Sequence, residues 1–87
     1  MPGHPIPKLL AIDDEVQSLE LIKDALANAG VEVLTASDPK IGLETFKRVR
    51  PHIVLLDLMM PGVRGLELME SILAADPGAE VILMTGQ

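Results

Sequence analysis

Short apolar runs alternate along this chain with stretches whose apolar residues recur every three or four positions. KLLAI (8–12) is the first run and predicts a strand. Val16, Leu19, Ile22, Leu26 and Ala29 then fall on one helical face, and Gly30 follows where a left-handed C-terminal cap is expected. VEVLTA (31–36) is rich in β-branched residues and predicts a second strand. Asp38 can accept from the free N–H groups of a second helix, with Pro39 at its first position and Leu43, Phe46 and Val49 on its inner face. Pro51 limits that helix. IVLL (53–56) is the third strand, 58–64 a loop, and a third helix turns Leu66, Met69, Ile72 and Leu73 inward. Asp76, Pro77 and Gly78 make a turn before a last strand, VILM (81–84).

The predicted order is β-α-β-α-β-α-β. Helical crossovers imply parallel strands, with helices on both faces of the sheet. The central runs show almost no polar alternation, as expected where both faces are buried. A doubly wound α/β fold follows.

Composition narrows the picture. Eighty-seven residues allow one small domain, and 48% hydrophobic residues can fill its core. Phe46 is the one aromatic residue, so that core is aliphatic. A net charge of −6 argues against a nucleic-acid surface and fits a cation in the site. There is no cysteine, and no apolar run approaches the roughly 20 residues of a membrane span. The opening MPGHPIPK lacks a signal-peptide pattern, so residues 1–7 read as a flexible arm and the expected setting is cytoplasmic.

Ligands of such sheets sit outside the carboxyl ends of the strands. Asp13 and Asp14 follow the first predicted strand, Asp57 the third, and Thr85 the last. Carboxylates packed together repel unless some are protonated or a cation joins them. Mg²⁺ suits hard oxygen donors and keeps waters that a substrate can displace. A carboxylate that reserves a lone pair for the substrate can attack a phosphorus centre, and a hydroxyl such as that of Thr85 can donate to a phosphoryl oxygen.

The residues AIDDE (11–15), LLDLMMPG (55–62) with Pro61 four positions after Asp57, Gly65, and ILMTG (82–86) together resemble the receiver domain of two-component response regulators. The resemblance runs from about Lys8 to Gln87. It implies a flavodoxin-like sheet of order 2-1-3-4 in this chain. It also implies that Asp57 accepts a phosphoryl group from a histidine kinase. Asp14 binds Mg²⁺ directly, Asp13 mostly through water, and Asp57 and the Met59 backbone carbonyl complete the protein ligands. Thr85 is the hydroxyl that turns toward the phosphoryl group. The expected function is a phosphoacceptor switch module rather than a turnover enzyme.

Receivers of this family also have a fourth helix, a fifth strand ending in a lysine, and a fifth helix, and none of these falls within residues 1–87. The chain is therefore read as a truncated receiver, either a fragment of a longer regulator, the favoured reading, or a naturally short gene product. Lys8, Lys23, Lys40 and Lys47 cannot take the strand-end role. Loss of such a donor costs on the order of 3 kcal/mol in other enzymes, so impaired phosphotransfer is expected. Strand 81–84 becomes a sheet edge, and part of the face of Val16, Leu19 and Ile22 loses cover. About five uncovered aliphatic side chains at about 1.5–3 kcal/mol each predict a homo-oligomer, a homodimer in its simplest form, formed through that strand and that helix face.

Each of these residues also has a plainer reading. Asp57 alone could merely end a strand, and Asp13 and Asp14 could merely favour the first helix's N-terminus; the combined register outweighs both. His4 and His52 have no partner pattern and read as exposed. The main alternative function is a non-signalling structural or dimerisation fragment with an inert acidic site. A phosphotransferase of the haloacid-dehalogenase type expects an aspartate two residues after the nucleophile, where this chain has Met59. A dinucleotide-binding module expects a glycine-rich turn after the first strand, which is absent.

Overall fold

The computed structural model describes residues 6–58 and 65–84. Its elements are β1 (Lys8–Ile12), α1 (Val16–Ala25), β2 (Glu32–Ala36), α2 (Pro39–Val49), β3 (Ile53–Asp57), α3 (Gly65–Ala75) and β4 (Glu80–Met84). The strands form one parallel sheet in the order β2-β1-β3-β4, the flavodoxin-like order expected from the sequence. Ile12 lies opposite Ala36 on one side and Leu56 on the other, and Asp57 lies opposite Met84. The first five residues of the predicted arm lie outside the described residues, and the carbonyl of Pro7 accepts from the Glu32 N–H at 2.9 Å.

One face of the sheet packs under α2 and α3. There Leu10, Ile12, Val54 and Leu56 meet Phe46, Leu68 and Ile72, all buried. On the other face, Leu9 and Ala11 pack against Leu19 of α1, with Ile22, Leu26, Val33, Ile53 and Leu55 at its margins. The second cluster is the thinner because a single helix covers that face. Ile53 and Leu55 are accordingly only half-buried, less than the apolar run implies.

Local signals explain most boundaries. Asp38 caps α2 as expected, its Oδ1 accepting from Lys40 N–H at 2.7 Å and Ile41 N–H at 3.3 Å. Arg50 closes the same helix in the left-handed region (φ 55), its N–H bonded to Phe46 O at 2.8 Å. The guanidinium donates to Ala75 O at 3.4 Å and lies 3.9 Å from Asp76 Oδ2, joining the C-terminal ends of α2 and α3.

Three helix readings change. α1 stops at Ala25, and residues 26–30 continue as turns, with Ala27 N–H bonded to Asp24 O and Ala29 N–H to Leu26 O. Gly30 keeps its positive φ of 79, but as the end of this turn segment rather than as the helix cap, and Ala29 is exposed. Val16 is 59% exposed because it opens α1 beside the carboxyl end of β1, where the sheet stops. In α3 the buried stripe is Gly65, Leu68 and Ile72, and Leu66 is 55% exposed. That helix is apolar on adjoining stripes, so its rotation is set by packing against α2 and the sheet rather than by periodicity.

Candidate metal and phosphoacceptor site

The backbone of β1 and β3 brings the acidic residues together. These strands are neighbours in register, so the residues after Ile12 and Leu56 emerge side by side at the carboxyl edge. Asp13 is drawn further into the sheet by its N–H, which donates to Ala36 O at 3.1 Å. Its Oδ1 accepts from the Glu15 N–H at 2.9 Å, a two-residue turn that bends the chain from β1 toward α1. Glu15 caps α1 in an extended conformation, and its carboxylate accepts from the Ser18 hydroxyl at 3.2 Å.

One oxygen from each of Asp13, Asp14 and Asp57 lies within 4.8 Å of the others. The three differ in setting: Asp13 is buried at 6% exposure, Asp57 is half-buried, and Asp14 is exposed. Burial pushes the Asp13 carboxyl above its usual value, and the charges of Asp57 and Asp14 and a hydrogen bond with Asp57 push the same way. The Glu15 N–H opposes them by stabilising the carboxylate. A buried acid with two acidic neighbours concentrates negative charge, and its hard oxygen donors suit a divalent cation.

Met59 and Thr85, the other two site residues expected from the sequence, lie outside the described residues. His52 is exposed as expected, yet it has a partner that the sequence did not signal: Nδ1 accepts from the Lys8 N–H at 3.2 Å. Gly65 is buried where α3 begins, against the end of β3. A glycine opening a helix was visible in the sequence, but the close contact behind it was not.

The chain is similar to known receiver domains. The family model described as "Response regulator receiver domain" matches residues 9–87. The probable transcriptional regulatory protein TcrX of Mycobacterium tuberculosis is 33% identical over 85 residues, 98% of this chain and 36% of TcrX. A response regulator receiver domain protein from Clostridium thermocellum has a crystal structure that superposes with a TM-score of 0.87 at 37% identity, over 93% of this chain and 66% of that one. A chain in the crystal structure of histidine kinase ThkA in complex with response regulator protein TrrA gives a TM-score of 0.84 at 35% identity, over 92% of this chain and 69% of that one. The chain thus spans about a third of the length of its curated relative and about two thirds of these solved chains. With sheet order, acidic edge and family match in agreement, the chain belongs to the response regulator receiver domain family.

Proposed function

We propose that this chain is the phosphoacceptor module of a two-component system and that Asp57 takes a phosphoryl group from a phosphohistidine of a partner kinase. The observation that carries this is the convergence of Asp13, Asp14 and Asp57 at the carboxyl ends of two adjacent strands. A relative's chain being solved in a complex with a histidine kinase supports the class of donor. A kinase donor also implies a cytoplasmic setting; among the described residues, no helix is long and apolar enough to cross a membrane.

The donor set fits Mg²⁺. One carboxylate oxygen from each of Asp13, Asp14 and Asp57 lies within 4.8 Å of the others, a set of hard donors that would suit one such ion. Asp14, exposed at the rim, would hold the ion directly; buried Asp13 would act largely through water, and Asp57 and the Met59 carbonyl complete the set. When bound, Mg²⁺ supplies the positive charge that offsets these carboxylates and the phosphoryl oxygens. Asp57 forms the new P–O bond as the P–N bond to the donor imidazole breaks, and the imidazole leaves with the electron pair. Asp13, anchored by the Glu15 N–H, keeps its place while Asp57 reacts. The Thr85 hydroxyl would donate to the transferred group. The chemistry is one transfer onto the chain itself, a switch rather than a turnover.

Intact-mass spectrometry with Mg²⁺ and acetyl phosphate tests this. A phosphoryl adduct on the wild type that is lost in Asp57→Asn is expected. A folded wild-type chain that takes no adduct refutes it and favours the second reading, a structural module with an inert site.

That second reading has its own observation. Among the described residues β4 is an outer strand of the sheet, and its Ile82 is 48% exposed and Leu83 36% exposed. Unpaired strand edges with apolar side chains are templates for pairing with another chain. We propose that two copies pair through β4; of the α1 face expected to join it, Val16 is exposed and Leu19 is already buried within the subunit. A mass by light scattering that stays monomeric at every concentration would refute the pairing.

A further inference from the structure

We propose that Gly65 is a positioning residue for the acidic site: its missing side chain lets the start of α3 press against the end of β3 and fixes where Asp57 stands relative to Asp13 and Asp14. This rests on the reading of those carboxylates as a Mg²⁺ site. A Cβ added at Gly65 would lie 2.7 Å from Leu58 Cδ2, 2.9 Å from Leu58 Cα and 3.3 Å from the Asp57 carbonyl oxygen. The first contact is with the far end of a flexible side chain and can be relieved by rotation. The second is with backbone and cannot. Leu58 is also tied on its other side, because its N–H donates to Met84 O at 3.0 Å. Moving its Cα away from a new methyl group would stretch that bond or displace Asp57, the preceding residue.

Gly65 is the first residue of α3, where a glycine is tolerated, and the contact that a side chain would break there is the close approach to Leu58 Cα. Gly42 of α2 provides the contrast. A Cβ there would lie 2.8 Å from Ile12 Cδ1, 3.0 Å from Cγ1 and 3.2 Å from Cγ2, all side-chain atoms. Both glycines are crowded, but only the contact at Gly65 falls on the backbone that carries the site. A methyl group at 42 meets the buried Ile12 side chain, one residue before Asp13, and its three nearest contacts include no backbone atom. A methyl group at 65 moves the strand end itself.

The test is calorimetric titration with MgCl₂ of four full-length chains, with circular dichroism confirming their fold: wild type, Gly65→Ala, Gly42→Ala, and Gly65→Ala combined with Leu58→Ala. Gly65→Ala is expected to weaken Mg²⁺ binding by about ten- to hundredfold, the size found when residues that orient metal ligands are changed. The double variant is expected to stay weak, since alanine at 58 removes Cδ2 but keeps the Cα. Gly42→Ala is expected to bind as the wild type does, whatever its melting temperature. Wild-type affinity in Gly65→Ala, recovery in the double variant, or an equal loss in Gly42→Ala would each overturn the proposal. If Gly65→Ala does not fold, nuclear magnetic resonance of the wild type decides. The Gly65 amide signal should move on Mg²⁺ addition with the same half-saturation as Asp57, and an unmoved signal overturns the role. A wild type that binds no Mg²⁺ would sink the metal reading itself, and this one with it. Wild-type binding that Gly65→Ala leaves intact removes only the role of the glycine.

Discussion

Replacing Asp13 with asparagine should stabilise the metal-free protein and abolish its stabilisation by Mg²⁺. Asparagine keeps the Oδ1 that accepts from the Glu15 N–H, so the turn into α1 is preserved and only the charge is removed. The charge sits within 4.8 Å of those on Asp14 and Asp57. At that separation two unit charges repel by about 0.9 kcal/mol with the dielectric constant of water and about 3.5 kcal/mol at an effective value of about 20. Asp13 is buried and Asp57 half-buried, whereas Asp14 is exposed, so the Asp13–Asp57 pair dominates and the gain lies between these limits. For a domain of this size each kcal/mol moves the melting temperature by about 4–8 °C, which places the expected rise at no less than about 4 °C near pH 7.

The pH dependence follows from the raised Asp13 pKa. The folded protein holds the Asp13 proton to higher pH than the unfolded chain does, whose reference value is 3.8. Wild-type stability therefore falls as pH rises from that value through the raised one, and the full penalty is present above it. Below 3.8 Asp13 is protonated in both states, so the gap between wild type and Asp13→Asn should close. Added Mg²⁺ reverses the order. Saturation at a hundred times the dissociation constant stabilises the wild type by about 2.7 kcal/mol, while the variant gains little. Differential scanning calorimetry from pH 3 to pH 8, with and without MgCl₂, measures all of this. A variant that melts at or below the wild-type temperature in metal-free buffer at pH 7 would refute the repulsion argument.

Three further predictions concern the scaffold. Phe46→Ala empties the centre of the larger core and should cost about 3–5 kcal/mol; this approaches the whole stability of a small domain, and urea denaturation should lose its cooperative transition. Asp38→Ala removes the acceptor for two N–H groups of α2 and should cost about 1 kcal/mol, read as a lower urea midpoint. Arg50→Gly relieves the left-handed backbone but gives up an exposed ion pair and a long bond to Ala75 O, so its midpoint should change by less than about 0.5 kcal/mol; Arg50→Val, β-branched at φ 55, should lose more than about 1 kcal/mol.

The sheet was legible because the apolar runs are short and bounded. KLLAI and IVLL are too short for helices, and the helical stretches between them leave parallel pairing as the economical solution. The acidic edge was legible for the same reason: once strands end at Ile12 and Asp57, parallel neighbours must deliver their next residues to one place. Helix rotation was not legible in α3, where Leu66 and Leu68 are equally apolar and two residues apart. Gly65 breaks the tie by allowing its own stripe to approach β3, which turns Leu68 in and Leu66 out. The end of α1 was misread because Ala27 and Ala29 suit a helix. Only the i−3 bonds of Ala27 and Ala29 show that the chain has already left the helix on its way to β2.

A common tension links the site to the scaffold. The strand ends that collect three carboxylates are also the places where β1 and β3 finish their ladders, through Asp13 N–H to Ala36 O and Leu58 N–H to Met84 O. The backbone there is held by ordinary sheet bonds, and the carboxylates are forced close because the backbone does not yield. Charge repulsion thus acts on a rigid frame and cannot be relaxed by letting the strand ends splay. It is relieved instead by protonation or by a cation. A softer edge would lower the repulsion and with it the affinity for a divalent ion, since the ion gains most where the carboxylates are held close together. Gly65 and the Met84 carbonyl secure that edge on two sides of Leu58, which is why a single methyl group at 65 should be felt at Asp57.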